Sequence, residues 1–142
     1  MTKPRTAERR AIEDRLRAAG LRPTRQRVGL ARLLFGGPDR HVAAEDLFAE
    51  ATAAGVSVSL ATIYNTLHQF VEAGLMREVL AEPGRAYFDT NTSDHHHFFH
   101  ADEKRLVDVP SEAVVISGLP TPPDGSEIRR VDVVIRLEKR DA

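Results

Sequence analysis

Apolar residues recur at helical spacing through the first half of the chain, then change to the alternation of strands. Ile12, Leu16 and Ala19 lie on one stripe and predict a helix over 6–19 that Gly20 ends. Pro23 and Thr24 open a second helix. Thr24 is its expected N-cap, Val28, Leu30, Ala31, Leu33 and Leu34 fill its apolar face, and Gly36-Gly37-Pro38 stops it. A third helix is expected over 43–54, with Glu45 and Asp46 in the first turn, where the helix dipole favours acids, and Gly55 at its end. Ser59 caps a fourth helix that ends at Gly74. Its Leu60, Ile63, Leu67, Phe70 and Val71 repeat at helical spacing and are expected to face a core.

The other face of the fourth helix decides the fold. From Ser59 to Val71 the sequence has no Asp, Glu, Lys or Arg, and that face shows Ala61, Thr62, Asn65, Thr66 and Gln69. An ordinary solvated face would carry charges, whereas small hydroxyl and amide side chains suit base edges and phosphates in a major groove. Strands over 75–80 and 85–90 flank the turn Ala81-Glu82-Pro83-Gly84. Helices, a charge-poor recognition helix and a hairpin predict a winged helix-turn-helix. A winged helix that binds only protein is the alternative for the isolated pattern.

From His95 onward the texture is β. A hairpin of 96–100 with 104–109 is expected across Ala101-Asp102-Glu103, a further strand at 114–116, and a loop at 118–125. Val131, Val133, Ile135 and Leu137 alternate with Asp132, Val134, Arg136 and Glu138 as a strand should. The expected class is α+β: a winged-helix DNA-binding domain over 1–91, then a small α/β dimerisation domain over 92–142. A β unit of that size is marginal alone, so pairing with a second copy is expected.

Composition narrows the function. The net charge of -1 hides a basic segment 1–35 at +7 on an acidic remainder at -8, which fits a nucleic-acid contact as well as a bare basic arm. The chain has no cysteine, so thiolate metal sites, disulfides and thiol nucleophiles are excluded. No stretch reads as a membrane span or a signal peptide, which makes the cytoplasm the default location.

Four of the six histidines fall at His95, His96, His97 and His100. Imidazole is the commonest protein ligand for metals and also serves haem iron. On a strand, His95 and His97 share one face, and His96 takes the other with Phe98. A ligand-binding patch after a DNA reader points to a sensor. The rivals are a metal-dependent hydrolase using the triplet and a non-sensing metal-binding or protein-interaction module. No HExxH pattern, Gly-rich phosphate loop or nucleophile elbow supports the hydrolase. His68 and His100 are read as surface or structural histidines.

Four segments, in order, resemble the ferric uptake regulator superfamily. They are Gly20-Leu21-Arg22-Pro23-Thr24-Arg25-Gln26-Arg27, His41-Val42-Ala43-Ala44-Glu45-Asp46-Leu47, Ser59-Leu60-Ala61-Thr62-Ile63-Tyr64-Asn65-Thr66-Leu67 and Glu72-Ala73-Gly74-Leu75. Tyr64-Asn65-Thr66-Leu67-His68-Gln69-Phe70, the triplet, the lack of cysteine and the ending Arg130–Leu137 look like its iron response regulator branch. The resemblance implies a homodimer, or a dimer of dimers, on double-stranded AT-rich operators of iron and haem metabolism genes. Such a regulator acts when iron is scarce and is disabled by haem. It implies DNA contacts from Arg22, Thr24, Arg25, Ser59, Thr62, Tyr64, Asn65 and Arg85. It also implies divalent-metal ligands (Zn, Mn or Fe) at His41, Asp89 and His96 and at His95, His97 and Asp132, with Asp108 and Glu112 as weaker acidic candidates. Some members carry a Cys-Pro haem motif; here any haem must use His95, His96 and His97. The family's next hinge histidine is Phe98 in this chain.

Overall fold

The computed structural model describes residues 3–141, of which residues 3–5 are described by backbone alone. The chain divides into two units, Met1–Thr92 and Ser93–Ala142.

In the first unit, α1 (Lys3–Ala18), α2 (Arg25–Phe35), α3 (Ala44–Ala53) and α4 (Leu60–Glu72) enclose a core of Ile12, Leu16, Val28, Leu30, Leu34, Leu47, Ile63, Leu67 and Phe70. The helix ends follow from local chemistry. The Thr24 side chain accepts from the Arg27 amide at 3.2 Å, and Ser59 accepts from the Thr62 amide at 3.1 Å. At the far end of α4, Gly74 takes φ 79° and lets the Leu75 amide turn back onto the Phe70 carbonyl at 2.9 Å, a reversal that favours glycine. Thr24→Ala should lower the stability of this unit by about 1 kcal/mol in urea titration, because it leaves a first-turn amide without its cap.

The helical stripes deviate from the expected faces at two places. Leu60, expected in the core, is 37% exposed at the start of α4, and Thr66, expected outward, is buried at 5%. Residues Ile63, Thr66, Leu67 and Phe70 form the inner stripe, and Leu60, the first residue of α4, lies outside it.

A strand that periodicity did not indicate, β1 (His41–Ala43), runs straight into α3. It joins β2 (Arg77–Glu82) and β3 (Arg85–Asp89) in an antiparallel sheet of order β1-β3-β2. Three residues are too few for alternation to show. The pairing is secured just beyond its ends: the Arg40 amide donates to Thr90 Oγ1 at 2.8 Å, and the Thr90 amide to the Arg40 carbonyl at 3.0 Å. The Arg40 guanidinium grips Glu50 of α3 through two hydrogen bonds of 2.7 and 2.5 Å, which hold its pKa above the ordinary arginine value. Together these contacts fix His41 opposite Asp89.

The second unit is a three-stranded sheet of order β5-β4-β6. Here β4 (His95–His100) is antiparallel to β5 (Arg105–Pro110) and parallel to β6 (Val134–Leu137). The expected α/β make-up is corrected: among the described residues this unit has no α-helix, only a 3-10 turn at Ser111–Ala113. The strand expected at 114–116 is absent as well; Val115 is 91% exposed, and residues 114–133 hold no strand or helix. The strand expected over 131–137 begins only at Val134. Before it, the Val133 amide goes to His96 Nδ1 at 3.1 Å instead of to a neighbouring strand, and Asp132 turns to Arg130 at 2.8 Å.

No helix among the described residues is long and apolar enough to cross a membrane.

Candidate metal centre and nucleic-acid interface

The histidine tract lies on β4, and the strand's two-residue period sorts it. His95, His97 and Phe99 share one face, His96, Phe98 and His100 the other. The hairpin register sets His97 opposite Asp108 and Phe99 opposite Leu106. Asp108 therefore stands among the imidazoles: its Oδ1 is 3.3 Å from His95 Nε2 and 3.5 Å from His97 Nε2. Within this unit the ligand atoms lying within 4.8 Å of one another come from His95, His97 and Asp108. The rings of His95 and His97 are edge to face at 4.5 Å, and both are buried, at 6% and 2% exposure.

The Ser93 carbonyl can only accept, so His95 donates to it from Nδ1 at 2.6 Å. That bond leaves the Nε2 lone pair of a neutral His95 directed at Asp108. A lone pair facing a carboxylate oxygen is repulsive unless a proton or a cation lies between them. Two buried imidazoles and a solvent-exposed carboxylate that converge on one another are a donor set for a borderline divalent cation.

The other expected ligands fall elsewhere. Asp132, expected to complete the His95–His97 pair, is outside that group and accepts from Arg130; the carboxylate beside the two imidazoles is that of Asp108. His96 accepts the Val133 amide at Nδ1, so the neutral ring carries its proton on Nε2 and offers no free lone pair there. In the first unit His41 Nε2 lies 3.2 Å from Asp89 Oδ2, and Asp89 is fully buried with Oδ1 accepting from the Asn91 amide at 2.8 Å. Glu112 is exposed in the 3-10 turn beside Ser111.

The residues expected to meet DNA fall on or just before α2 and α4 and on the wing strand β3. Asn65 is exposed on α4, Thr62 and Tyr64 are half-buried, and Arg22 and Arg25 are exposed at the start of α2. Thr24 and Ser59 are both occupied as helix caps, and Ser59 also shares a 3.0 Å hydroxyl contact with Thr62. Gln69, read as part of the reading face, is turned to the protein: its Oε1 accepts twice from Arg27, at 3.0 and 3.3 Å. His68 leans its ring edge-on against Phe88 at 5.5 Å, with Glu78 at 3.8 Å, so it packs beside the wing. Arg85 pairs with Asp46 at 3.3 Å and lies over the Tyr87 ring.

Periodicity and spacing give no sign of one contact and only a weak sign of another. Glu45, by sequence only a first-turn acid, accepts the Tyr64 hydroxyl at 2.6 Å. That bond, more than any other influence, holds the Glu45 carboxyl below its ordinary value and the Tyr64 hydroxyl above its own. The sign follows: the bond is fully present at neutral pH and weakens as pH falls through the lowered Glu45 value. Asp108 was only a weak candidate, although its place opposite His97 is the geometric heart of the second-unit group.

A profile of the ferric uptake regulator family matches residues 18–115. The ferric uptake regulation protein of Pseudomonas aeruginosa is 41% identical over 81 residues, covering 57% of this chain and 60% of that protein. That of Pseudomonas fluorescens is 33% identical over 100 residues, covering 70% of this chain and 81% of the relative. The match to the first of these thus spans less than two thirds of its length. Among solved structures, the ferric uptake regulator of Pseudomonas aeruginosa with manganese superposes with a TM-score of 0.68 at 28% identity, covering 92% of this chain and 98% of that one. The Vibrio cholerae ferric uptake regulator gives 0.69 at 20% identity over 89% of this chain and 98% of its own, a likeness of fold.

Proposed function

Because the chain belongs to the ferric uptake regulator family, we propose that it is a homodimeric, DNA-binding transcription regulator of iron homeostasis whose operator affinity responds to a divalent metal. The observation that carries the metal response is the convergence of His95 Nε2, His97 Nε2 and Asp108 Oδ1 on one face of β4 and β5. Those three would hold the ion, which supplies positive charge between groups that otherwise repel. Ser93 fixes the His95 tautomer, and the β4–β5 register brings the carboxylate to the imidazoles. Regulation rather than catalysis is the reading. The relatives above are named regulators or regulation proteins, and the sequence shows no hydrolase motif.

The DNA reading rests on α4 and the start of α2. Arg22 and Arg25 are exposed cations that would hold phosphate, while Thr62, Tyr64 and Asn65 would face the groove. Arg25→Ala should weaken binding on every sequence and flatten the salt slope by about 1, whereas Asn65→Ala should cost operator preference more than bulk affinity. Fluorescence anisotropy on matched and scrambled duplexes at several salt concentrations separates the two effects. If both variants match wild type on both duplexes, α4 is not the reading helix.

Haem is the second reading, with the iron response regulator branch as its context. What favours it is a cleft of about 240 Å³ in the second unit, where His95 and His96 meet Arg129, Arg130, Ile116 and Val131. Arg129 and Arg130 offer cations to the carboxylates of a ring and Ile116 and Val131 offer apolar contact, although Asp94 and Ser111 share the lining. His96 Nδ1 already accepts a hydrogen bond and His95 Nδ1 is held by Ser93, so His95 Nε2 would bind the iron, in place of the divalent ion.

One experiment tests the whole proposal: a gel shift on an AT-rich inverted repeat with Mn(II), Fe(II), Zn(II), chelator or haem, recording absorbance. Operator binding that changes with a divalent ion supports the metal reading. Loss of the operator with a Soret shift supports haem. Retained ligand with no shifted DNA under any condition overturns the regulator.

A further inference from the structure

Tyr64 and Glu45 make a contact that the DNA reading leaves unused. Glu45 lies in the first turn of α3, Tyr64 in the second turn of α4, and the Tyr64 hydroxyl donates its one proton to Glu45 Oε1 at 2.6 Å. From Ser59 to Val71 the sequence has no charged side chain, so this carboxylate is brought to the reading side of α4 by another helix. Placed beside DNA, a carboxylate is repelled by phosphates. Its presence there calls for some return.

The return lies in the direction of one proton. A tyrosine hydroxyl has a single O–H to give and lone pairs to accept with, and an ionised carboxylate can only accept. Once the proton points at Glu45, Tyr64 Oη has only lone pairs left for anything else. In the major groove adenine N6 and cytosine N4 present N–H donors, while thymine O4 and guanine O6 and N7 only accept. We propose that Glu45 sets the base preference of Tyr64: by taking the hydroxyl proton it makes Tyr64 Oη an acceptor, which selects an adenine or cytosine amino group over a thymine or guanine carbonyl. Glu45 acts here as a positioning residue and does not itself touch DNA. The inference rests on α4 being the helix that reads the groove. Because Glu45 is held ionised by the same bond, it remains an acceptor throughout the neutral range.

The test is enrichment of the full chain's binding sites from a library of randomised duplexes, with wild type, Glu45→Gln, Glu45→Lys and Tyr64→Phe. Wild type should prefer an amino-bearing base at one position of each half-site by about three- to tenfold, the range of one neutral hydrogen bond. A glutamine can accept or donate, so Glu45→Gln should bring that preference to near unity. A lysine can only donate, so Glu45→Lys should invert it toward thymine or guanine at the same position while tightening binding to all sequences through its charge. In the Tyr64→Phe background, changing Glu45 should leave base preference at that position unaltered. Glu45 is exposed, so these variants keep the core intact. Glu45→Gln and Glu45→Lys selecting the wild-type base with wild-type strength at every position would overturn the inference. Wild type enriching no sequence at all would instead overturn the reading of α4, and this inference with it.

Discussion

Replacing His97 by alanine should collapse the metal response of operator binding. The ratio of affinities with and without divalent ion should fall to about one, with metal affinity reduced by about a hundredfold or more, since a direct ligand outweighs the tenfold to hundredfold typical of its supporting partners. His97 contributes one of two imidazole nitrogens facing Asp108, and at 2% exposure it cannot be replaced there by water from an open surface. A second readout is independent of DNA. Metal at a hundred times its Kd should stabilise the wild-type chain by about 2.7 kcal/mol, a rise in unfolding temperature of about 10 °C. That rise should vanish in His97→Ala and persist in His100→Ala, because His100 is on the opposite face of β4. The carboxylates give a sharper contrast: Asp108→Asn should lose metal affinity, and Asp132→Asn should keep it. Competition with a fluorescent chelator measures all four variants. Wild-type metal affinity in His97→Ala, or its loss in Asp132→Asn alone, places the ion elsewhere.

The carboxylate beside His95 and His97 is Asp108 where Asp132 was expected, and the reason is physical. Periodicity was enough for the four helices, since caps at Thr24 and Ser59 and ends at Gly20, Gly55 and Gly74 are local chemistry. It was also enough for the sorting of His95 and His97 to one face, which needs only the two-residue period. Register is different. A hairpin turning on Ala101-Asp102-Glu103 leaves the partner of each histidine one residue out of step, and a one-residue slip sends every partner side chain to the other face. The connection in the structure takes four residues, Ala101 to Lys104, with Lys104 at φ 53°, and that extra residue brings Asp108 opposite His97. A lysine with positive φ has no strong sequence signature, so the turn length was not legible. The Glu45–Tyr64 bond was hidden for a related reason. It joins two helices at a separation of 19 residues, and only their packing makes them neighbours. The short strand β1 and the truncated β6 depend on pairing and on the Val133–His96 bond, both products of tertiary context.

Val115→Asp, in the segment 114–133, should separate the dimer. Single exposed apolar side chains are ordinary on any protein surface. Here four of the six large hydrophobics exposed among the described residues, Val115, Ile116, Leu119 and Ile128, crowd into one stretch that has no strand or helix. The unit holding it has roughly 50 residues and three short strands, a size at which one copy buries too little surface to be secure. A second copy, related by a two-fold axis, would cover the same residues on both sides at once. Charge placed at Val115, which is 91% exposed in the single chain, costs nothing there but must be desolvated in such an interface. Sedimentation at micromolar concentration should therefore show wild type as a dimer, or a dimer of dimers, and Val115→Asp as a monomer. Operator affinity should fall by about 10²- to 10⁴-fold, because the second half-site no longer gains the effective concentration of a tethered reader. Metal affinity should survive, since His95, His97 and Asp108 come from one chain. Leu80→Asp, on a wing residue that is also exposed, should leave the dimer intact and serves as the control. Should Val115→Asp remain dimeric at nanomolar concentration, the exposed apolar stretch is not the contact.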